Sequence, residues 1–232
     1  MSEPGSSSRP YWTGDPAMIM ELLTSIARGV GLTLYVTGAS LLIGGIIGLV
    51  LVGAARSPIG IIRGAATLYI NIVRVIPPIT WLFLIYFGLP QYALRLSTLQ
   101  AAIVGFSIIA SAFMAEIYRS GLLSIPDGQR EAAHALGLGS ITTVGHIITP
   151  QAFRVALPAI ATYGIGLLKD SALASTIGVR EITYYAQQSA KQTHEGLLSF
   201  VVAGALYIII SLVVALVARR VDLKLRRKIG VV

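Results

Sequence analysis

Few side chains in this sequence could make or break bonds, and their spacing narrows the choice further. There is no cysteine, which removes disulfides and thiolate metal sites. The three histidines, His134, His146 and His194, have no metal-ligand spacing with one another. Neither H-E-x-x-H nor G-x4-G-K-S/T occurs, so a zinc-protease helix and a phosphate-cradling P-loop are both absent. No histidine lies in a predicted membrane span to activate a serine, and Asp170 has no second aspartate within one. What stands out is polar groups in apolar surroundings. Arg74 precedes Pro77 and Pro78 inside an apolar run, Lys169 and Asp170 are consecutive, and a charge-bearing stretch runs from Ala115 to Pro150 between two apolar ones. Such groups suit binding and docking.

The elements that must position them are read from composition. The chain of 232 residues is 55% hydrophobic and 12% charged, with mean hydropathy +0.77. A soluble domain carries about 25% charged residues, so the balance points to a membrane. The net charge of +8 does not mark a nucleic-acid binder, because the cations are not interleaved with aromatics on one face. Six of the eighteen Lys and Arg residues fall in the last fourteen positions, which reads as a cytoplasmic anchor.

Five spans are predicted. Gly29 to Ala55 is uncharged and exceeds the roughly twenty residues a bilayer core needs, and its small residues, Gly31, Gly38, Ala39, Gly44, Gly45 and Gly48, suit close helix packing. The second lies within Gly64 to Leu89, where Arg74 stands some ten residues deep, at a cost of about 2.5–3.5 kcal/mol at a helix centre. Pro77 and Pro78 should break or kink it. The third is Leu96 to Ala115. The fourth, Val155 to Leu168, is short, reads as interrupted by Gly164 and Gly166, and continues apolar from Ser171 to Val179. The fifth is Gly196 to Ala218. Residues 1–17 form a polar tail without signal-peptide features, Met18 to Ala27 an amphipathic interfacial helix, and residues 219–232 a basic tail after the 18–218 membrane domain. Arg56, Arg63, Arg119, Arg130, Arg154 and the six C-terminal cations make eleven on one side, against six on the other (Arg9, Arg28, Arg95, Lys169, Arg180, Lys191). That asymmetry sets the N-terminus outside and the C-terminus in the cytoplasm.

The loop over residues 116–150 then faces the cytoplasm, and it has the chemistry of a short helix. Ser124 and Asp127 fit a capping pattern, Pro126 suits a first turn, Glu131, Ala132, Ala133 and Ala135 are helix formers, and Gly137 is a left-handed stop. Ser140 is positioned to cap a second short helix that Pro150 interrupts. Glu116 is spaced to pair with Arg119.

Glu131-Ala132-Ala133, three residues, Gly137, nine residues, then Ile147-Ile148-Thr149-Pro150 resembles the E-A-A-x3-G-x9-I-x-L-P loop of permease subunits of ATP-binding cassette importers. With Gly128-Gln129 before it, the loop is similar to that of the polar amino-acid group (histidine, glutamate, glutamine, arginine, opine), although Thr149 replaces the usual Leu. Tyr69, Arg74, Pro77 and Tyr86-Phe87-Gly88-Leu89-Pro90 resemble that group's Y-x4-R-G-T-P…Y-F-G-L-P signature, with Val75-Ile76 in place of Gly-Thr. Lys169-Asp170-Ser171-Ala172-Leu173 resembles its K-D-T/S-S/A-L run. The resemblance spans roughly Gly31 to Leu223.

It implies an all-α integral membrane fold of the type I importer permease kind, five transmembrane helices plus a cytoplasmic coupling helix, in the inner membrane. It implies a non-enzymatic transport subunit without a cofactor of its own, ATP and Mg²⁺ residing on a partner ATPase dimer. The other implied partners are a second permease chain, the same or homologous, an extracytoplasmic solute-binding protein and membrane lipid. Gln129, Glu131, Ala132, Ala133, Gly137 and Pro150 are the expected ATPase-coupling residues. Arg74, Pro77, Pro78, Tyr163, Lys169, Asp170 and Ser171 are candidates for the substrate pathway, with core packing the favoured reading of Tyr163. A secondary transporter or channel for a small polar solute is the alternative; it leaves the structured cytoplasmic helix without a job.

Overall fold

A computed structural model describes residues 16–227. Most of the polar tail and the last five positions of the basic tail lie outside the described residues, while Pro16 and Ala17 already belong to the first helix. Among the described residues every regular element is helical. Four helical runs, Pro16–Ala54, Thr98–Leu123, Ser140–Ile177 and Gly196–Leu223, are long and apolar enough to cross a membrane, and the bent pair Gly60–Val75 and Pro78–Tyr92 makes five if the two count as one span.

Helix α1 (Pro16–Ala27) does not lie apart in the interface. Its Leu22 and Ile26 are buried against Ile182 and Ala186 of α9 (Ile182–Thr193) and Val202 and Ala203 of α10 (Gly196–Arg227). A turn at Arg28–Gly29 joins it to α2 (Val30–Ala54); a Cβ on Gly29 would stand 2.3 Å from the backbone nitrogen of Ile182. Helix α2 lies along α5 (Thr98–Leu123), which forms the core of the molecule. In lipid no hydrophobic force draws two helices together, so close backbone approach must supply the contact. Gly44 and Gly48 provide it, whereas Gly31 and Gly38 face open space. Ser97 and Gln100 close a reciprocal capping box at the start of α5.

Helix α3 (Gly60–Val75) stops at Ile76, and the run Pro78–Tyr92, which opens with α4 (Pro78–Phe83), leaves it at 104°. The two prolines withhold two backbone donors, so the helix breaks as expected. Trp81 Nε1 repairs part of the loss by donating to the Val73 carbonyl at 3.3 Å. A π-turn (Leu84–Gly88) and a 3₁₀ turn (Leu89–Tyr92) finish this segment. Arg74 is thus in the last turn of α3, not at a helix centre.

The loop after α5 folds as α6 (Gly128–Ala135) and α7 (Ser140–Thr142), a π-turn (Thr143–Ile148) leading into α8 (Thr149–Asp170). Pro150 does not interrupt this run. The Thr149 N–H bonds the Val144 carbonyl five residues back, so the hydrogen-bond ladder is already shifted where proline brings no donor. The expected side-chain caps do not form either. Ser124 Oγ donates backward to the Gly121 carbonyl, and neither Asp127 nor Ser140 makes a capping bond. Gly164 and Gly166 leave α8 unbroken, because the helix is held by packing, Gly164 against Leu41. Arg154 lies within this helix, so the fourth span is longer than predicted, and His146 falls inside the same apolar run. A 3₁₀ turn (Ser171–Ile177) leads towards α9, and α10 continues as helix beyond the fifth span to Arg227, well into the expected tail.

Candidate coupling surface and translocation site

Helix α6 is a two-turn element between two spans, and its end is built by hydrogen bonds. Gly137 has φ +72°, and the N–H groups of Gly137 and Leu138 return to the carbonyls of His134 and Ala133 at 2.9 and 3.0 Å. This reciprocal closure needs a left-handed residue, which glycine adopts without a Cβ penalty. Ala133 is buried and anchors the helix inward, while Gln129, Glu131 and Ala132 are exposed. Gln151 Nε2 donates to Gln129 Oε1 at 3.3 Å and to the Ile147 carbonyl at 2.9 Å, tying α6 to the start of α8 beside Pro150. Leu136 and Ile141 are 77% and 90% exposed on either side of the Gly137 turn. The loop therefore presents a mixed face outward, Gln129, Arg130, Glu131 and His134 beside the small Ala132 and the apolar Leu136 and Ile141.

Arg74 has two partners on α5. Its guanidinium stands 4.0 Å from Glu116 Oε2 and 5.4 Å from the centre of the Phe113 ring. Phe113 stacks on Tyr163 of α8, with centroids 5.2 Å apart and planes at 20°. Arg119 binds Glu116 through Nε at 3.1 Å and through a second, shorter contact from Nη2. A pocket of about 270 Å³ opens here, bordered by Arg74, Phe113 and Glu116 and by Val155, Ala156 and Ala159 of α8. Tyr69 of α3 fixes the same interface, its hydroxyl 2.9 Å from Ser111 Oγ.

The remaining pathway candidates separate. Lys169, Asp170 and Ser171 do not line this pocket. Lys169 and Asp170 form no ion pair with each other among the described residues, since consecutive helical side chains diverge by about 100°. Both are exposed, but Ser171 is buried, with Oγ donating to the Leu168 carbonyl at 2.7 Å, and so supports the turn. Pro77 and Pro78 act by breaking the helix. Tyr163 packs against the main core, and its buried hydroxyl has no hydrogen-bond partner among the described residues.

Three features escaped the sequence reading. Phe113, which links Arg74 to Tyr163, is one apolar residue among many in α5. Glu181 is wholly buried, and its Oε1 accepts from the Tyr184 N–H at 2.8 Å to cap α9. Its other oxygen takes a short hydrogen bond from the Tyr207 hydroxyl of α10, and Thr33 of α2 accepts from the neighbouring Ile182 N–H at 3.3 Å. Burial pushes the Glu181 carboxyl above its ordinary range, while hydrogen bonds from Tyr207, Thr183 and Tyr184 pull the other way. Glutamate is not a favoured N-cap, so no local signal marked it. The Ser97-Thr98-Leu99-Gln100 box was also missed, although an S-x-x-Q before an apolar run is a local signal that could have found it.

Helices long and apolar enough to cross a membrane, with a bent pair among them and a short exposed helix on one loop, are the architecture of a multi-pass membrane protein. The model of the family described as "Binding-protein-dependent transport system inner membrane component" matches residues 40–227. The chain belongs to this family, as a multi-pass inner-membrane permease subunit of ATP-binding cassette importers. It is 35% identical over 190 residues to the probable amino-acid ABC transporter permease protein YckA of Bacillus subtilis (strain 168), covering 82% of this chain and 84% of that one. It is 33% identical over 202 residues to the arginine transport system permease protein ArtQ of the same organism, covering 87% and 92%. Among solved structures it resembles an amino acid ABC transporter with histidines, at TM-score 0.86 and 29% identity over 92% of this chain and all of that one. The inward-facing MetNI methionine ABC transporter is similar at TM-score 0.70 and 26% identity, covering 92% and 99%.

Proposed function

We propose that this chain moves polar amino acids or related small solutes inward by alternating access, driven by a separate ATPase that docks on α6. The observation that carries the reading is the glycine-stopped helix Gly128–Ala135, exposed between two spans, with an E-A-A-x3-G register and apolar Leu136 and Ile141 beside it. A short helix anchored through one alanine can be pushed or pulled as a unit, and Gln151 passes the displacement to α8. ATP-driven closure of an ATPase pair would draw the α6 helices of two permease chains together and open the spans outward; hydrolysis would reverse it. Gln129, Glu131, Ala132, Ala133, Gly137 and Pro150 carry this coupling. A solute-binding protein delivers cargo from outside, and the excess of cations on the α6 side orients the chain with its C-terminus in the cytoplasm. The pathway borders the α3–α4 break, where Arg74, with Glu116 beside it, offers a cation to a cargo carboxylate, and passes the exposed Lys169 and Asp170 of α8.

The test is purification of the tagged full chain in gentle detergent, with mass identification of what accompanies it. An associated ATPase bearing Walker motifs is the expected result. A chain that purifies alone and moves solute into liposomes without ATP would make it a secondary carrier.

A further inference from the structure

A cavity of about 590 Å³ lies between the ends of α2 and α5 and the inner side of the α6–α7 loop. Its lining has two chemistries. Leu49, Val52, Leu122 and Ile148 form an apolar wall, whereas Arg56, Arg130, His134 and Ser140 bring cations and polar hydrogen-bonding groups. Arg130 and His134 are four residues apart on α6 and so share a face. Among the described residues neither Arg56 nor Arg130 forms an ion pair, in contrast to Arg119, which Glu116 neutralises. The cavity sits where the apolar spans α2 and α5 end, at Ala54 and Leu123, and so straddles the edge of the hydrocarbon core.

We propose that this cavity holds one acidic phospholipid of the phosphatidylglycerol type. Its phosphate sits between Arg56 and Arg130, and its first acyl methylenes run along Leu49 and Val52. A free phosphate would satisfy the cations but leave the apolar wall in water. A neutral lipid would cover the wall and leave two arginines uncompensated. Only an anionic amphiphile matches both parts, and basic pockets between spans on the cytoplasmic side have this character. Leu49 is 55% exposed and Val144 51%, so the wall is open to an acyl chain from the bilayer. Because α6 contributes Arg130 and His134, the lipid would brace the docking helix against α2. The site rests on the cytoplasmic orientation proposed above but not on the ATPase assignment.

The test is native mass spectrometry of the purified full chain with its co-purifying partners. The probes are phosphatidylglycerol, phosphatidylcholine of the same acyl chains, and inorganic phosphate. Phosphatidylglycerol should be retained on the order of tenfold better than phosphatidylcholine, as two cations near a lipid surface imply. The Arg56→Gln/Arg130→Gln chain should lose that preference, and Arg219→Gln should keep it. Unchanged preference in the double variant, or inorganic phosphate binding as tightly as phosphatidylglycerol, would overturn the proposal. A measurement free of any folding effect is photo-crosslinking of the unaltered chain with a headgroup-labelled phosphatidylglycerol. Labelled peptides should come from residues 49–56 and 130–148; label confined to other segments, or those segments cross-linked to a second permease chain instead, rules the lipid out.

Discussion

Glu116 of α5 stands between two arginines, 4.0 Å from Arg74 across the α3–α5 contact and paired with Arg119 one turn along its own helix. The sequence spacing suggested only the second pair. Placement of Arg74 in the last turn of α3, ahead of the proline break, is what brings it to Glu116 and over Phe113. One carboxylate thus compensates two cations beside the pocket against α8.

Glu116→Gln should therefore unsettle both arginines. With all three groups partly exposed, the Arg74–Glu116 coupling should be modest, roughly 1 kcal/mol. A double-mutant cycle with Arg74→Ala, read by thermal unfolding in lipid nanodiscs, measures it. Strict additivity of the two changes would mean the contact contributes nothing.

Gly137→Val should uncouple transport from ATP hydrolysis while the protein still reaches the membrane. Nothing lies within 4 Å of a Cβ at this position, so the effect must come from the φ of +72° alone. A left-handed conformation costs an L-residue about 1–2 kcal/mol, and a β-branched one more. Reconstituted liposomes report uptake and hydrolysis together, and wild-type uptake would remove the coupling role from this turn.

The α2–α5 contact tolerates no added volume. A Cβ on Gly44 would stand 2.4 Å from Ala110 Cβ, and one on Gly48 2.8 Å from Met114 Cβ. Overpacking costs typically 1–3 kcal/mol, so Gly48→Leu should destabilise the subunit by about that much or more. Gly38→Ala, facing open space, should leave the unfolding midpoint within error of wild type. Equal effects of the two changes would contradict this packing.

Glu181 predicts a pH dependence of stability. Burial raises its folded-state pKa above the unfolded value, so the folded chain holds this proton more tightly. Its contribution is then most favourable below the unfolded carboxylate pKa and is lost as pH rises through the folded one. Glu181→Gln keeps an acceptor for the Tyr184 N–H and has no proton to lose. Unfolding midpoints of wild type and variant, compared between about pH 4 and 7, should converge at the acid end and diverge, with the variant higher, at the neutral end. Parallel curves would mean that Glu181 does not titrate differently on folding.

Orientation can be tested by cysteine accessibility in the otherwise cysteine-free chain. Ser171, being buried, is a poor reporter, but Thr176 in the same turn is exposed, as is Ser140. Thr176→Cys should react with a membrane-impermeant maleimide from outside, and Ser140→Cys only after the cytoplasmic face is opened. The reverse pattern would invert the topology.

Features set by neighbours in the chain were legible in advance. Uncharged runs located the spans because the bilayer demands length and apolarity of each segment separately. Pro77-Pro78 announced the break in the second span, and Gly137 announced the end of α6, because each acts on its own backbone. Where reading failed, packing had overridden local preference. Gly164, Gly166 and Pro150 read as interruptions, yet a π-turn and the contact with α2 carry the helix through them. Ser124, Asp127 and Ser140 had capping chemistry without capping geometry.

The sequence by itself determined that this is an all-helical membrane permease subunit with a short glycine-stopped helix between two spans, since composition, span length and the E-A-A-x3-G register are local properties. Only the tertiary structure decided that Arg74 meets Glu116, that Phe113 links Arg74 to Tyr163, that Ser171 turns inward, and that Glu181 is buried under Tyr207. Each of these last contacts depends on the register between helices. That register is set by which small residues let two backbones approach, a property of pairs of faces that no single stretch of chain contains.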